Sequence, residues 1–391
     1  WNDSRRKNSI VASARSFGSF RDSAMSWWVL SPPMDILGFF LPLAVALALV
    51  PLTRHVPDKA VPLPYHVSLV VLIDVAHVYG TLFRTVLDSE ATAKNRALFL
   101  RAPPCLFAGT MLVIFAGGEE LGWSLLAYYA MYHFAKQPFG ILCLYKARKG
   151  ERGAVDHRID YWTCMAGALI PVLIQHTDEN AYFLHWFNNG ERLLFYFPNW
   201  ANIPLYVLYV LVPLFWFGRS LLQWRLGVRR VNAGKIWIMG VQYVSWYIGV
   251  LCDHEVRSLA FVNLFHGVSS MVLVYSVVQR RYAAWRKRSP ATMQWRDKLC
   301  EAMVSSPWPY LAVMVMFAVV EDVSWEVCVY QAYLPQMGVP VPILQAQWRA
   351  LVTALLMQPQ LSHYFLDAYI WRMTPQNPGL KEAINCDCAN R

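Results

Sequence analysis

The sequence predicts an all-α fold: a polytopic bundle of about ten transmembrane helices with both termini on the cytoplasmic side. Three observations predict it. Of the 391 residues 56% are apolar and only 15% charged, whereas a soluble domain carries about a quarter charged residues. Several apolar runs reach the roughly 20 residues that a helix needs to cross a bilayer. The cations also alternate from one side of the chain to the other, as the positive-inside rule requires. The same composition excludes a disordered chain, a disulfide scaffold and a collagen-like chain. The 17 Trp, 20 Tyr and 20 Phe suit interfacial belts and lipid-facing surfaces.

The apolar runs place helices at 34–54, 65–87, 98–117, 121–147, 159–176, 201–224, 235–252, 256–281, 306–332 and 347–372, with a very short turn between the third and fourth. The N-terminal arm carries Arg5, Arg6, Lys7, Arg15 and Arg21. With cations at span ends assigned to the nearer loop, 28 of the 35 Lys and Arg fall on the arm, the even-numbered loops and the C-terminal end. Five (Arg54, Lys59, Arg192, Arg257 and Arg349) fall on the odd-numbered loops. Missing or inventing one span would scramble that split. It reads the formal charge of +10 as topology, with no nucleic-acid partner expected. A multi-pass protein of a bacterial inner membrane is expected, with membrane lipids around it.

The organisation that follows is a basic cytoplasmic arm at 1–30, a helical bundle at 31–373 and a cytoplasmic tail at 374–391. The arm holds too few apolar residues for a signal peptide. The chain opens on Trp1 and not Met, so the natural start is expected upstream. The non-cytoplasmic loop at 177–200 contains Tyr182, Phe183, Trp186, Phe187, Phe195, Tyr196, Phe197 and Trp200, and is expected to cap the bundle on the membrane surface. The eight cysteines are scattered, mostly within spans, where a thiol packs as a small apolar group. Cys386 and Cys388 in the tail form a short motif able to hold a metal or a lipid.

Ionisable side chains at a helix centre cost about 2.5–3.5 kcal/mol each on insertion scales, so they call for an explanation. Four spans carry a histidine at similar depth with a polar neighbour on the same helix face. These are Asp74 with His77, His133 with Gln137 and with Lys136 beside them, Asn263 with His266, and His363 with Asp367. Spacings of three or four residues put each pair on one side of its helix. At about 1.5 Å of rise per residue, His77, His133 and His266 lie within roughly 3 Å of one level, and His363 about one turn deeper. The other six histidines fall at or beyond the span ends. Neutral imidazole with carboxylate oxygen is the donor set of non-haem iron and related metals. The candidate ligands are therefore His77, His133, His266, His363, Asp74 and Asp367, with Gln137, Asn263 and Lys136 as supporting residues. Interhelical hydrogen bonding is the plainer alternative for any single histidine. Glu321, Asp322 and Glu326 on the ninth span are candidates for proton carriers or a polar entrance. Arg84 and Arg372 are read as snorkelling or pairing with acids.

Three segments resemble the membrane beta-carotene dioxygenase-like family, the relatives of bacteriorhodopsin-related protein. Tyr132-His133-Phe134-Ala135 is similar to that family's His-Phe-Gly segment. The stretch from Pro359 through His363 and Asp367 to Trp371-Arg372 is similar to its last histidine helix, and Asp74 with His77 to its first. The likeness covers about 60 residues. It departs where the family has two histidines four apart, since here His266 is followed by Ser270. The resemblance implies histidines from several helices around a non-haem iron, and cleavage of a carotenoid with oxygen.

The leading functional expectation is a non-haem iron oxidoreductase, mono- or dinuclear, acting with oxygen on a hydrophobic substrate dissolved in the membrane. With no flavin or nicotinamide fingerprint, electrons are expected from a partner subunit or from the substrate. The alternatives are a haem- or chlorophyll-type pigment subunit using the same histidines as axial ligands, a proton-coupled transporter, and a structural subunit of a larger membrane complex.

Overall fold

Helices occupy all ten segments in which apolar runs predict them, and no strand occurs among the described residues. The computed structural model describes residues 28–178, 191–252, 254–288, 292–377, 380 and 384. Most of the basic arm, the aromatics Tyr182, Phe183, Trp186 and Phe187, and the Cys386 and Cys388 motif lie outside them.

In chain order the helices are α1 (Pro32–Leu52), α2 (Leu63–Arg84), α3 (96–117), α4 (119–148), α5 (Ala154–Gln175), α6 (Asn202–Arg225), α7 (Ala233–Leu251), α8 (Glu255–Arg288), α9 (Trp295–Met303), α10 (Pro307–Trp325), α11 (Ala346–Leu356) and α12 (Gln358–Ile370). Gly118 separates α3 from α4 with φ 79° and ψ 174°, a conformation open to glycine and strained for other residues. The tenth predicted helix is two helices, α11 and α12, that meet at Met357 ahead of Pro359. α9 was not predicted; it is a short helix of nine residues with Asp297 closing a capping box at its start.

Among the described residues, five helical stretches are long and apolar enough to cross a membrane: Pro32–Leu52, Leu63–Arg84, Arg96–Arg148, Asn199–Arg225 and Glu255–Lys287. α5 falls short because it opens on Asp156-His157-Arg158 and Asp160, and the α11–α12 pair because it is divided. Two of the five stretches show opposite extremes. α8 is the axis of the bundle: 94% of its most apolar window is buried, and α1, α2, α4 and α7 pack around it. α6 instead turns Val210, Leu211, Leu214 and Phe215 outward, and only 11% of its window is buried. A continuous apolar face of this kind suits contact with lipid and is uncommon on water-facing surfaces.

The end of the bundle that carries the even-numbered loops is tied by charge. Asp160 accepts from Lys146, Lys235 and the Trp216 indole at 2.5, 3.1 and 2.8 Å, joining α4, α5, α6 and α7. Asp156 pairs with Arg219 and Arg229 beside it. Arg281 of α8 pairs with Asp88 and Glu90 in the short helix region after α2. Arg84 is buried; its guanidinium donates to the Ile370 carbonyl at 2.9 Å and lies over the Trp371 ring.

Candidate metal centre

α2 is wound as a π-helix over His66–Val75 and returns to α-helix at Ala76, so His77 stands directly after the wide segment. π-helical turns are rare and recur at functional sites. α8 approaches α2 at Gly267, where a Cβ atom would lie 2.6 Å from Ile73 Cγ2 and 2.8 Å from the Ile73 carbonyl oxygen. That close approach sets His266 against His77. α4 brings His133 and α12 brings His363. The extra turn of depth expected for His363 vanishes because the chain is broken at Met357 and does not run as one straight helix.

One ring nitrogen from each of His77, His133, His266 and His363 lies within 4.8 Å of the others, and all four residues are buried. The rings form a square. His77 neighbours His266 and His363 at centroid distances of 4.5 and 4.8 Å, and His133 neighbours the same two at 5.0 and 4.8 Å, all edge to face. Phe134 stacks on His266 at 3.7 Å and Tyr364 lies beside His133 at 4.6 Å, covering the square with apolar rings.

The protons inside this square can be followed. His77 Nδ1 faces the Ile73 carbonyl at 3.3 Å and Asp74 Oδ1 at 3.8 Å. Both are acceptors, so Nδ1 carries the hydrogen and Nε2 is a bare lone pair. That lone pair faces His266 Nε2 at 3.0 Å and His363 Nε2 at 3.2 Å. His363 Nδ1 lies 2.7 Å from the Thr81 hydroxyl, a group that both donates and accepts, with Asp367 Oδ1 at 3.6 Å, and its Nε2 faces inward. The single in-plane lone pair of His77 Nε2 accepts at most one good hydrogen bond, so the two Nε2 atoms facing it are not both satisfied, an arrangement that a cation at the focus relieves. A metal ion about 2.1 Å from two imidazole nitrogens holds them roughly 3.0–3.4 Å apart for bond angles between a right angle and tetrahedral. The spacings of 3.0 and 3.2 Å fit, whereas the four-nitrogen set as a whole spreads to 4.8 Å, beyond the roughly 4.2 Å that two such bonds span, so all four rings share one ion only by drawing inward. His133 Nε2 and His266 Nδ1 are buried without a hydrogen-bond partner.

The other predicted residues divide. Asp74 and Asp367 stand behind His77 and His363 on the outer ring nitrogens, the position from which a carboxylate fixes a ligand's tautomer and raises its basicity. Gln137 donates to the His266 carbonyl at 3.1 Å and to Ser269 Oγ at 3.2 Å, bracing α4 against α8. Asn263 is buried one turn from His266. Lys136 does not join: it is exposed and donates to the Tyr132 hydroxyl at 2.8 Å on the outer face of α4. Glu321 accepts from Tyr79 Oη at 2.6 Å and from Trp325 Nε1 at 3.2 Å, and Asp322 pairs with His66 at 3.0 Å. Glu326 accepts the backbone amides of Tyr333 and Leu334, which gives it a part in the turn after α10.

Sequence reading missed Thr81 and the Ile73 carbonyl. Thr81 carried a usable signal, since it lies four residues after His77, but a hydroxyl draws less notice than an ionisable group. Removing an outer partner of a metal-bound histidine costs about 10–100-fold in metal affinity. Thr81→Val and Asp74→Asn are each expected to show a loss of that size in a chelator competition titration. Unchanged affinity in both would mean that the outer contacts orient nothing.

No known protein family, no curated protein and no solved structure matches this chain. The local similarity to the carotenoid-cleaving family therefore remains a resemblance, and the chain is assigned to no family.

Proposed function

We propose that the four histidines hold one non-haem iron and that the chain is an integral-membrane oxidoreductase acting with oxygen on a hydrophobic, membrane-dissolved substrate. The observation that carries this reading is the convergence of the His266 and His363 Nε2 atoms on His77 Nε2, at 3.0 and 3.2 Å, inside a buried square of imidazoles. The ten helical segments, read with the cation split, favour a full bundle of ten spans with both termini cytoplasmic. The apolar exterior of α6 favours lipid contact, and the apolar cover of the square by Phe134 and Tyr364 favours a reaction kept from water.

A macrocycle is disfavoured by the same spacing. Rings in edge-to-face contact around the whole square leave no slot for the plane of a haem or chlorophyll. A dinuclear centre is disfavoured because the two carboxylates sit on the outer nitrogens and leave a single focus.

Bound iron would supply the redox chemistry with oxygen. The chain itself fixes the His77 tautomer through the Ile73 carbonyl, orients the rings with Thr81, Asp74 and Asp367, excludes water with Phe134 and Tyr364, and holds the four helices in register through Gly267 and Gln137. Electrons come from the substrate or from a partner subunit.

The test is metal content with an optical spectrum on detergent-purified full chain. About one iron per chain with no Soret band is the expected result. A Soret or chlorophyll band would transfer the histidines to a pigment role, and the absence of both metal and pigment would end the metal reading.

A further inference from the structure

Beside the histidine square lies a second polar feature with its own geometry. A cavity of about 130 Å³ opens between α2, α10 and α12, and Asp74, Glu321, Asp322, Glu326, His66 and Gln360 supply its polar wall. Among the described residues no Lys or Arg lines it. Four carboxylates without a lining Lys or Arg, set among apolar side chains, make a hollow rich in oxygen donors, and its low-dielectric walls focus on arriving cations the field of whatever charge those acids carry.

Three details give this hollow a direction. At its rim the Asp322–His66 pair is part-exposed, with side chains 22% and 16% accessible. Deeper in, Glu321 is only 4% exposed; Tyr79 and Trp325 each occupy one of its oxygens, and each oxygen keeps a further lone pair. Gln360 is 7% exposed, lines the cavity and has a buried Oε1 with no hydrogen-bond partner. It lies three residues before His363 on α12. At the inner end Asp74 lines the cavity while its Oδ1 stands 3.8 Å from His77 Nδ1. One side chain thus borders both the hollow and the square.

We infer that this acidic cavity is the inlet through which a divalent cation reaches the four-histidine centre. The inference rests on the metal reading above and adds a route to it. Carboxylate and amide oxygens hold a first-row divalent ion more loosely than four imidazoles do, so an ion captured at the rim has a downhill transfer to the nitrogens. The oxygens collect; the histidines keep.

The experiment follows loading of Co(II) into metal-free full-length protein in lipid nanodiscs, read by the visible d–d bands of nitrogen-ligated cobalt. Glu321→Gln with Asp322→Asn removes two charges while keeping side-chain size, and is expected to slow loading at least about tenfold with the final absorbance unchanged. Glu119→Gln with Glu120→Gln removes the same charge from the exposed start of the Arg96–Arg148 segment's second helix, near the cavity residue Trp123, and is expected to load at the parent rate. Equal rates for all three proteins would overturn the inlet, as would equal slowing by both double variants, which would reduce the effect to net charge. A lower final absorbance in the Glu321 and Asp322 variant would make these acids ligands, and would also overturn it. Failure of the parent protein to develop the cobalt bands would instead remove the metal centre itself.

Discussion

Replacing His77 and His363 together by alanine is expected to yield a helical, metal-free chain. His77 is the hub of the square, since its Nε2 faces both His266 and His363. His363 is the ligand that α12 contributes and the one Thr81 holds in place. If loss of an outer partner costs about 10–100-fold in affinity, loss of two donors costs at least the square of that, roughly 10²–10⁴-fold. Metal content on purification should fall from near stoichiometric to a trace. A ligand that binds only the folded state also stabilises it, by RT ln(1 + [L]/Kd). Added metal should therefore raise the unfolding temperature of the parent protein and leave that of the double variant unmoved. This second readout separates loss of the ligands from mere damage to packing. Metal retained by the variant, or stabilisation of both proteins alike, would show that the ion sits elsewhere.

The helical segments and the four histidines were legible because both obey simple periodicities. Apolar runs mark helices, and a histidine with a polar neighbour three or four residues away marks the inward face. What periodicity left open was which side of that face a neighbour takes. Lys136 and Gln137 follow His133 by three and four residues, so at 3.6 residues per turn they point about 60° to one side of it and about 40° to the other. Gln137 falls toward α8, while Lys136 falls toward the surface, where Tyr132 offers its hydroxyl. No single-residue spacing distinguishes the two before the neighbouring helix is placed. The acids posed a similar question. Asp74 and Asp367 share a face with histidines and read as ligands or as orienters; each stands nearest the outer nitrogen of its imidazole, at 3.8 and 3.6 Å, the orienting position. The π-helical winding of α2 left no trace in composition, since His66–Val75 reads as an ordinary apolar stretch with one acid. The break at Met357 did have a mark, Pro359, which cannot donate to the preceding turn.

The close approach at Gly267 leads to a prediction about a residue with no donor atom of its own. A Cβ there would meet Ile73 Cγ2 at 2.6 Å and the Ile73 carbonyl oxygen at 2.8 Å, both closer than real Cβ contacts come. The second clash matters more, because that carbonyl accepts the His77 Nδ1 hydrogen and so sets which nitrogen faces the metal. Gly267→Ala must push α2 away from α8 or tilt the Ile73 peptide, and either move spoils the His77–His266 spacing of 3.0 Å. Overpacking of a tight contact costs about 1–3 kcal/mol in stability. Metal affinity is expected to fall further, by at least about tenfold, since the disturbed carbonyl is itself an outer partner of a ligand. Adding Ile73→Ala clears the side-chain clash but cannot clear the backbone one. The pair should therefore recover stability in thermal unfolding while metal affinity stays depressed. Full recovery of both would mean that only side-chain bulk was at issue and that the Ile73 carbonyl has no hold on the centre. Recovery of neither would mean that the helix contact, and not the peptide, carries the whole effect.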